Sequence, residues 1–193
     1  MTIHDTLVEV ITQEAITLNR IACTISQDYV RVVEMILRTR GKVILTGMGK
    51  SGLIARKIAA TMTSTGTYAT FLHPADAAHG DLGLIKQDDI VIVLSKSGES
   101  DELNAILPTI KAMGILTIAI TANETSTVAK QCDIVLHSDV GKEACPYDLA
   151  PTSSTTAALA IGDALAVALM QERRFNRQDF KLYHPAGALG KRA

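Results

Sequence analysis

Residues 89 to 103 read Asp89-Ile90-Val91-Ile92-Val93-Leu94-Ser95-Lys96-Ser97-Gly98-Glu99-Ser100-Asp101-Glu102-Leu103: an apolar run, a hydroxyl-rich turn and the opening of a helix. A short run of branched apolar residues is a strand buried on both faces. A phosphate site needs this order. Small residues after the strand let backbone N–H groups converge, and the next helix aims its partly positive N-terminus at the same spot. The hydroxyls of Ser95, Ser97 and Ser100 can each donate to phosphate oxygens. The same serines also suit a plain strand–helix junction as turn and N-cap formers, so both readings stand on this segment alone.

Similar apolar runs lie at Val43 to Leu45, Tyr68 to Leu72, Ile115 to Ile120 and Ile134 to Leu136, separated by enough residues for a helix each time. Such spacing requires crossover connections, which predicts a doubly wound α/β domain: five parallel strands with helices on both faces. Ligands then bind outside the carboxyl ends of the strands, where both Gly47 to Gly52 and Ser95 to Ser100 fall. Before the strands, Ile3, Leu7, Val10, Ile11, Leu18 and Ile21 recur at helical spacing. Val30, Val33, Ile36 and Leu37 do so again after Ser26, an N-cap residue, with a stop near Gly41. Residues 1–40 are therefore N-terminal helices, 41–175 the α/β core, and 176–193 a C-terminal helix and tail of one domain.

The chain has 193 residues, 19 basic against 20 acidic side chains and no basic stripe, which excludes nucleic acid as an expected partner. Cys23, Cys132 and Cys145 lack CxxC spacing and read as reduced thiols, Cys132 and Cys145 as small buried apolar groups. The first residues lack the pattern of a signal peptide, so a cytoplasmic location is expected. Thr155 to Met170 is too short and interrupted to span a membrane. Being apolar nearly all round, it is expected in the core or against another subunit, hence an oligomer. The five histidines show neither His-x-His nor HExxH spacing, so no metal site is expected.

Gly47-Met48-Gly49-Lys50-Ser51-Gly52 matches G-x-G-x-x-G, but the acid that should hold a ribose after the next strand is missing, because that strand runs into His73-Pro74. It is not a Walker loop either: the first glycine of that motif would fall on Ile44. What remains is a glycine turn with a cation, Lys50, and a hydroxyl, Ser51, suited to an anion or a polarised oxygen, or else an exposed lysine in a turn. His79 lies in a loop of small residues, and its near-neutral pKa suits proton transfer if a site forms there. Glu102 opens a helix, where the dipole favours a carboxylate in any case. Glu143 precedes Thr152-Ser153-Ser154-Thr155, four hydroxyl residues that head the long apolar helix as a second anion cradle or as caps. His184 sits in the tail.

In order, Gly-Met-Gly-Lys-Ser-Gly, Ala-Ala-His-Gly-Asp-Leu-Gly, Ser-Lys-Ser-Gly-Glu-Ser, Lys-Glu-Ala-Cys-Pro, Leu-Ala-Pro-Thr-Ser-Ser-Thr and His-Pro-Ala-Gly-Ala-Leu-Gly resemble the sugar isomerase (SIS) domain of bacterial D-arabinose 5-phosphate isomerases, over nearly the whole chain. The resemblance implies interconversion of D-ribulose 5-phosphate and D-arabinose 5-phosphate, the entry to 3-deoxy-D-manno-octulosonate for lipopolysaccharide. It also implies no organic cofactor and a tetramer; because His184 lies on a tail beyond the last helix, it is expected to enter a neighbouring subunit's site, which places sites at subunit interfaces. Position by position, it puts catalytic groups on Lys50, His79, Glu102, Glu143 and His184, and the sugar-phosphate site on Ser51, Ser95, Ser97 and Ser100 with Thr152 and Ser153. Longer family members continue into CBS regulatory modules, whereas this sequence stops at Lys191-Arg192-Ala193, as expected either of a short form without those modules or of a truncated piece of a longer chain. The competing class is a non-catalytic SIS module that senses sugar phosphates; it would keep the serine turn without needing five ionisable groups.

Overall fold

The computed structural model describes residues 1–187 and 190. Thr2 caps helix α1 (Ile3–Thr24) in a reciprocal box with Asp5, and Ser26 caps α2 (Gln27–Arg38) by accepting the Asp28 N–H. Then β1 (Val43–Gly47), α3 (Gly49–Ser64), β2 (Ala69–Phe71), α4 (Pro74–Ala78), a 3-10 turn at Asp81–Leu84, β3 (Ile90–Leu94) and α5 (Asp101–Ala112) follow. The chain continues through β4 (Leu116–Thr121), α6 (Thr127–Gln131), β5 (Ile134–His137), α7 (Ser153–Glu172) and α8 (Arg177–Tyr183).

All strand pairs are parallel in the order β2-β1-β3-β4-β5, the expected doubly wound arrangement. Alternation along the strands splits the core in two. Val43, Leu45, Ile92 and Ile118 pack beneath α1, α2, α3 and α7, whereas Ile44, Val91, Val93 and Ala119 face α4, α5 and α6. Ile92 and Ile118 are fully buried, each adding roughly 1.5–3 kcal/mol of apolar burial. Ahead of β3, buried Asp89 accepts the Lys42 N–H at 2.8 Å, the Lys42 ammonium at 2.6 Å and the Lys86 N–H at 2.7 Å, which sets the starts of β1 and β3 side by side.

Chain order reverses between β1 and β3. Connections leave these neighbours toward opposite faces, and the crevice opens beyond their carboxyl ends, where Gly47 registers with Leu94. The reading of β1 from sequence ends two residues short, since Thr46 and Gly47 continue its ladder. Conversely β2 is shorter than the run Tyr68 to Leu72, because an edge strand pairs on one side only and Tyr68 lies exposed. The apolar helix starts at Ser153, two residues earlier than its apolar composition suggests, and packs on α1, α2 and α3. At 20 residues with a mean hydropathy of 1.4 it has the length and composition of a membrane span, yet it serves here as a core helix.

Candidate active site

The serine turn is pinned on all sides. Ser95 N–H donates to Ile120 O at 3.1 Å, and Lys96 O accepts from Ala122 N and Thr121 Oγ1, each at 3.1 Å. Gly98 has φ +69° and lies so close to Ser126 that a Cβ would collide with it, so this turn position requires glycine. Val128 N–H donates to Gly98 O, and Thr127 N–H to the Glu99 carboxylate, tying the turn to α6. Ser95 Oγ accepts the Gly98 N–H at 3.1 Å and lies 3.3 Å from Ser100 Oγ; Ser97 Oγ accepts the Glu99 N–H at 3.3 Å. Ser100 occupies the N-cap of α5 without a side-chain capping bond. Ser95 and Ser100 share one proton between them, which leaves one hydroxyl hydrogen of that pair and the hydrogen of exposed Ser97 for a ligand.

Across the switch point, α3 begins with no capping side chain and no acid in its first turn. Its positive end is uncompensated at the carboxyl edge of β1. Gly49 has φ +54°, and a Cβ on Gly52 would run into Gly47 O; the glycine turn therefore brings helix and strand together and presents exposed Lys50 and half-buried Ser51 at the crevice. By contrast, Asp101 and Glu102 occupy the first turn of α5 and already balance its dipole. Among the described residues, the side chains of Lys50 and Glu102 make no hydrogen bond or ion pair.

The head of α7 holds an anion that belongs to the protein. Glu143 Oε2 accepts from Thr152 N at 2.9 Å, Thr152 Oγ1 at 3.2 Å and Ser154 N at 3.0 Å, while Oε1 pairs with the Lys96 ammonium at 2.9 Å. The Glu143 side chain is only 1% exposed. Burial opposes its ionisation, but the bonds from Ser154, Lys96 and Thr152 outweigh that and hold the carboxyl at about 2. Thr152 Oγ1 also accepts the Ala144 N–H, so it links the two sides of the loop rather than capping α7. Ser153 Oγ is fully enclosed and without a partner among the described residues.

Cys132 fits the expectation of an inert thiol, since burial pushes it up to about 12. Cys145 departs from it. Its Sγ accepts the backbone N–H groups of Ala150 and Leu149, each at 3.1 Å, and these bonds lower its pKa. The loop folds back on this sulfur, a local closure that Cys-Pro spacing alone does not reveal.

His79 ends α4 beyond the carboxyl end of β2, exposed, before Gly80 at φ +126°. Lys50, Ser51, His79, Ser95, Ser97, Ser100, Glu102, Glu143, Thr152 and Ser153 thus all depart from the carboxyl ends of strands. His184 does not. Helix α7 spans about 30 Å from the head held by Glu143; at its far end Arg173 reaches Ile36 O and Thr67, beside the amino ends of β1 and β2. Beyond that end, His184 stacks on Phe180 with centroids 3.9 Å apart, and its Nδ1–H donates to Phe180 O at 2.9 Å, which leaves Nε2 as the acceptor. Among the described residues it makes no hydrogen bond, ion pair or ring contact with any other candidate. Ala188, Leu189 and Lys191 to Ala193 of the tail motif lie outside the described residues.

Sequence reasoning passed over Lys96. Its place between two serines of the turn was the available signal.

Fold and crevice together define a sugar-isomerase type of α/β domain, and residues 36–168 match the SIS domain family, to which the chain belongs. It is 51% identical over 168 residues to arabinose 5-phosphate isomerase KdsD of Pseudomonas aeruginosa, covering 87% of this chain and 52% of that relative. Arabinose 5-phosphate isomerase KdsD of Francisella tularensis is 47% identical over 196 residues, covering 100% of this chain and 60% of that relative. The chain thus spans about half the length of the curated relatives it matches. Among solved structures, E. coli CFT073 c3406 in complex with arabinose 5-phosphate superposes with a TM-score of 0.92 at 39% identity, covering 96% of this chain and 100% of that one.

Proposed function

We propose that the protein is an arabinose-5-phosphate isomerase, which interconverts D-ribulose 5-phosphate and D-arabinose 5-phosphate through a cis-enediolate. The observation that carries this reading is the serine turn at the switch point, facing an uncompensated helix end and Lys50, in a fold that superposes end to end on a chain in complex with arabinose 5-phosphate. The substrate phosphate docks on Ser95, Ser97, Ser100 and the turn's N–H groups, so binding energy far from the reacting carbons positions them. Lys50, with Ser51 beside it, stabilises the oxyanion of the enediolate.

A base removes a proton from C1 of the ketose. The proton then returns to C2, while O1 loses its hydrogen and O2 gains one. Glu102 suits the base, because it opens the helix that follows the phosphate anchor and holds no internal partner. Glu143 suits it poorly: a carboxylate held near 2 by so many donors is a weak base, and its part is to position the loop. Thr152 and Ser153, drawn behind Glu143, support that loop rather than the phosphate. His79 and the His184 Nε2 serve proton transfer between the oxygens.

Within one chain His184 lies toward the other end of the sheet, which supports its entry into a neighbouring subunit's site. An exposed stripe on α1, with Ile3 84%, Leu7 61% and Ile11 70% exposed, suits burial between subunits of a tetramer. The reaction takes place in the cytoplasm, supplies 3-deoxy-D-manno-octulosonate synthesis, and uses no cofactor or metal.

Proton NMR of ribulose 5-phosphate with the protein in deuterated water tests the reading. Arabinose 5-phosphate signals with deuterium at C2 are expected; binding without turnover contradicts it and selects the sensor. Lys50→Ala should lower kcat about 100- to 1,000-fold with its fold intact. His184→Ala should also lose activity, and mixing the two inactive variants should restore part of it. No recovery on mixing contradicts the shared site.

A further inference from the structure

The two hydroxyl-rich turns come from segments about fifty residues apart, and they meet through one ion pair. Lys96 lies inside the serine turn, its carbonyl fixed by Thr121 and Ala122, and its ammonium reaches Glu143 Oε1 at 2.9 Å. On the other side, Glu143 Oε2 gathers the N–H groups of Thr152 and Ser154. Among the described residues no other hydrogen bond or ion pair joins residues 95–100 to residues 138–156. Without Lys96, the Glu143 carboxylate would be buried with no counter-charge, and the loop from Ser138 to Thr152 would have no polar tie to the phosphate anchor.

We propose that Lys96 is a positioning residue, which through Glu143 locks the head of α7 and its preceding loop onto the serine turn, so that the sugar-phosphate crevice forms as one unit. This rests on the isomerase reading for its kinetic consequence and on geometry alone for the pairing. The lysine side chain is 36% exposed and the glutamate 1%, so the pair runs from the accessible serine turn to an enclosed carboxylate. Around it, Asp148 accepts the Glu143 N–H, and Lys142, Cys145 and, from α1, Glu9 line the adjoining cavity of about 560 Å³. Lys142 lines that cavity, but the cation in contact with the carboxylate is Lys96.

The test compares wild type, Lys96→Met and Lys96→Arg in kinetics and in the carbon-13 titration of the Glu143 carboxyl. Lys96→Met is expected to lower kcat/KM about 100-fold, chiefly through KM, and Lys96→Arg to recover most of it. The Glu143 midpoint should rise clearly in Lys96→Met and stay near the wild-type position in Lys96→Arg. Should Lys96→Met fail to fold, Lys96→Gln gives the same readings. Unchanged KM and an unchanged Glu143 midpoint in the charge-free variant overturn the proposal. Wild type that turns over no ribulose 5-phosphate overturns the isomerase reading instead, and the midpoint then decides the pairing by itself.

Discussion

The turn from Ser95 to Ser100 and the run from Thr152 to Thr155 look alike in sequence: hydroxyl residues ahead of a helix. In the fold they differ in what their polar groups hold. The serine turn keeps Ser97 exposed and leaves hydroxyl hydrogens unspent, with its backbone braced from β4 and α6. At the head of α7, the corresponding groups are spent on Glu143 and Ala144, and Ser153 is sealed. A hydroxyl cluster is a ligand site only where the protein has not already supplied its own anion, and a carboxylate nine residues upstream can settle that.

The largest break in this comparison is expected from Glu143→Ala. It strands the Thr152 and Ser154 N–H groups and leaves Lys96 unpaired, at about 3 kcal/mol, a fall in Tm of roughly 10 °C, with activity lost alongside. Gly98→Ala should follow. A side chain there carries a left-handed backbone angle at about 1–2 kcal/mol and collides with Ser126, so the turn moves and phosphate binding, read by calorimetry, weakens at least about tenfold.

A crossed pair sharpens the contrast further. Ser97→Ala should raise KM about tenfold with little change in Tm, because it removes a bond to a charged ligand. Thr152→Ala should do the reverse, costing about 1 kcal/mol in urea unfolding with KM nearly unchanged. If both variants shift the same quantity, the two turns do not have distinct roles.

A further effect is in acid. Glu143 is held below the ordinary carboxylate range, at about 2 against 4.5, so its contribution to stability is complete above the unfolded value and is lost as pH falls from there through the folded one. Unfolding free energies should therefore decline between about pH 5 and 2, and less steeply in Glu143→Gln. Asp89 and Glu99, also lowered, contribute equally to both proteins and cancel in the difference.

The sheet was legible because parallel strands buried on both faces write continuous apolar runs, and the crevice followed from where those runs end. Ser95, Ser97, Lys50 and Glu102 could be placed by counting from a strand. Glu143 could not. Its loop has no periodicity, an acidic residue defaults to the surface, and its burial rests on Lys96, 47 positions earlier, together with the donors of Thr152 and Ser154. The same limit applies to Cys145, whose partners are backbone groups of a local fold, and to His184, whose distance from the crevice depends on the length and direction of α7.

The central claim is that a sugar phosphate sits on the serine turn and not on the head of α7. Amide NMR shifts during titration with arabinose 5-phosphate test it most directly. The account predicts the largest shifts at Ser97, Gly98 and Glu99, abolished in Gly98→Ala and reduced in Ser97→Ala. Shifts centred on Ser153 to Thr155, with the serine turn unmoved, would contradict it.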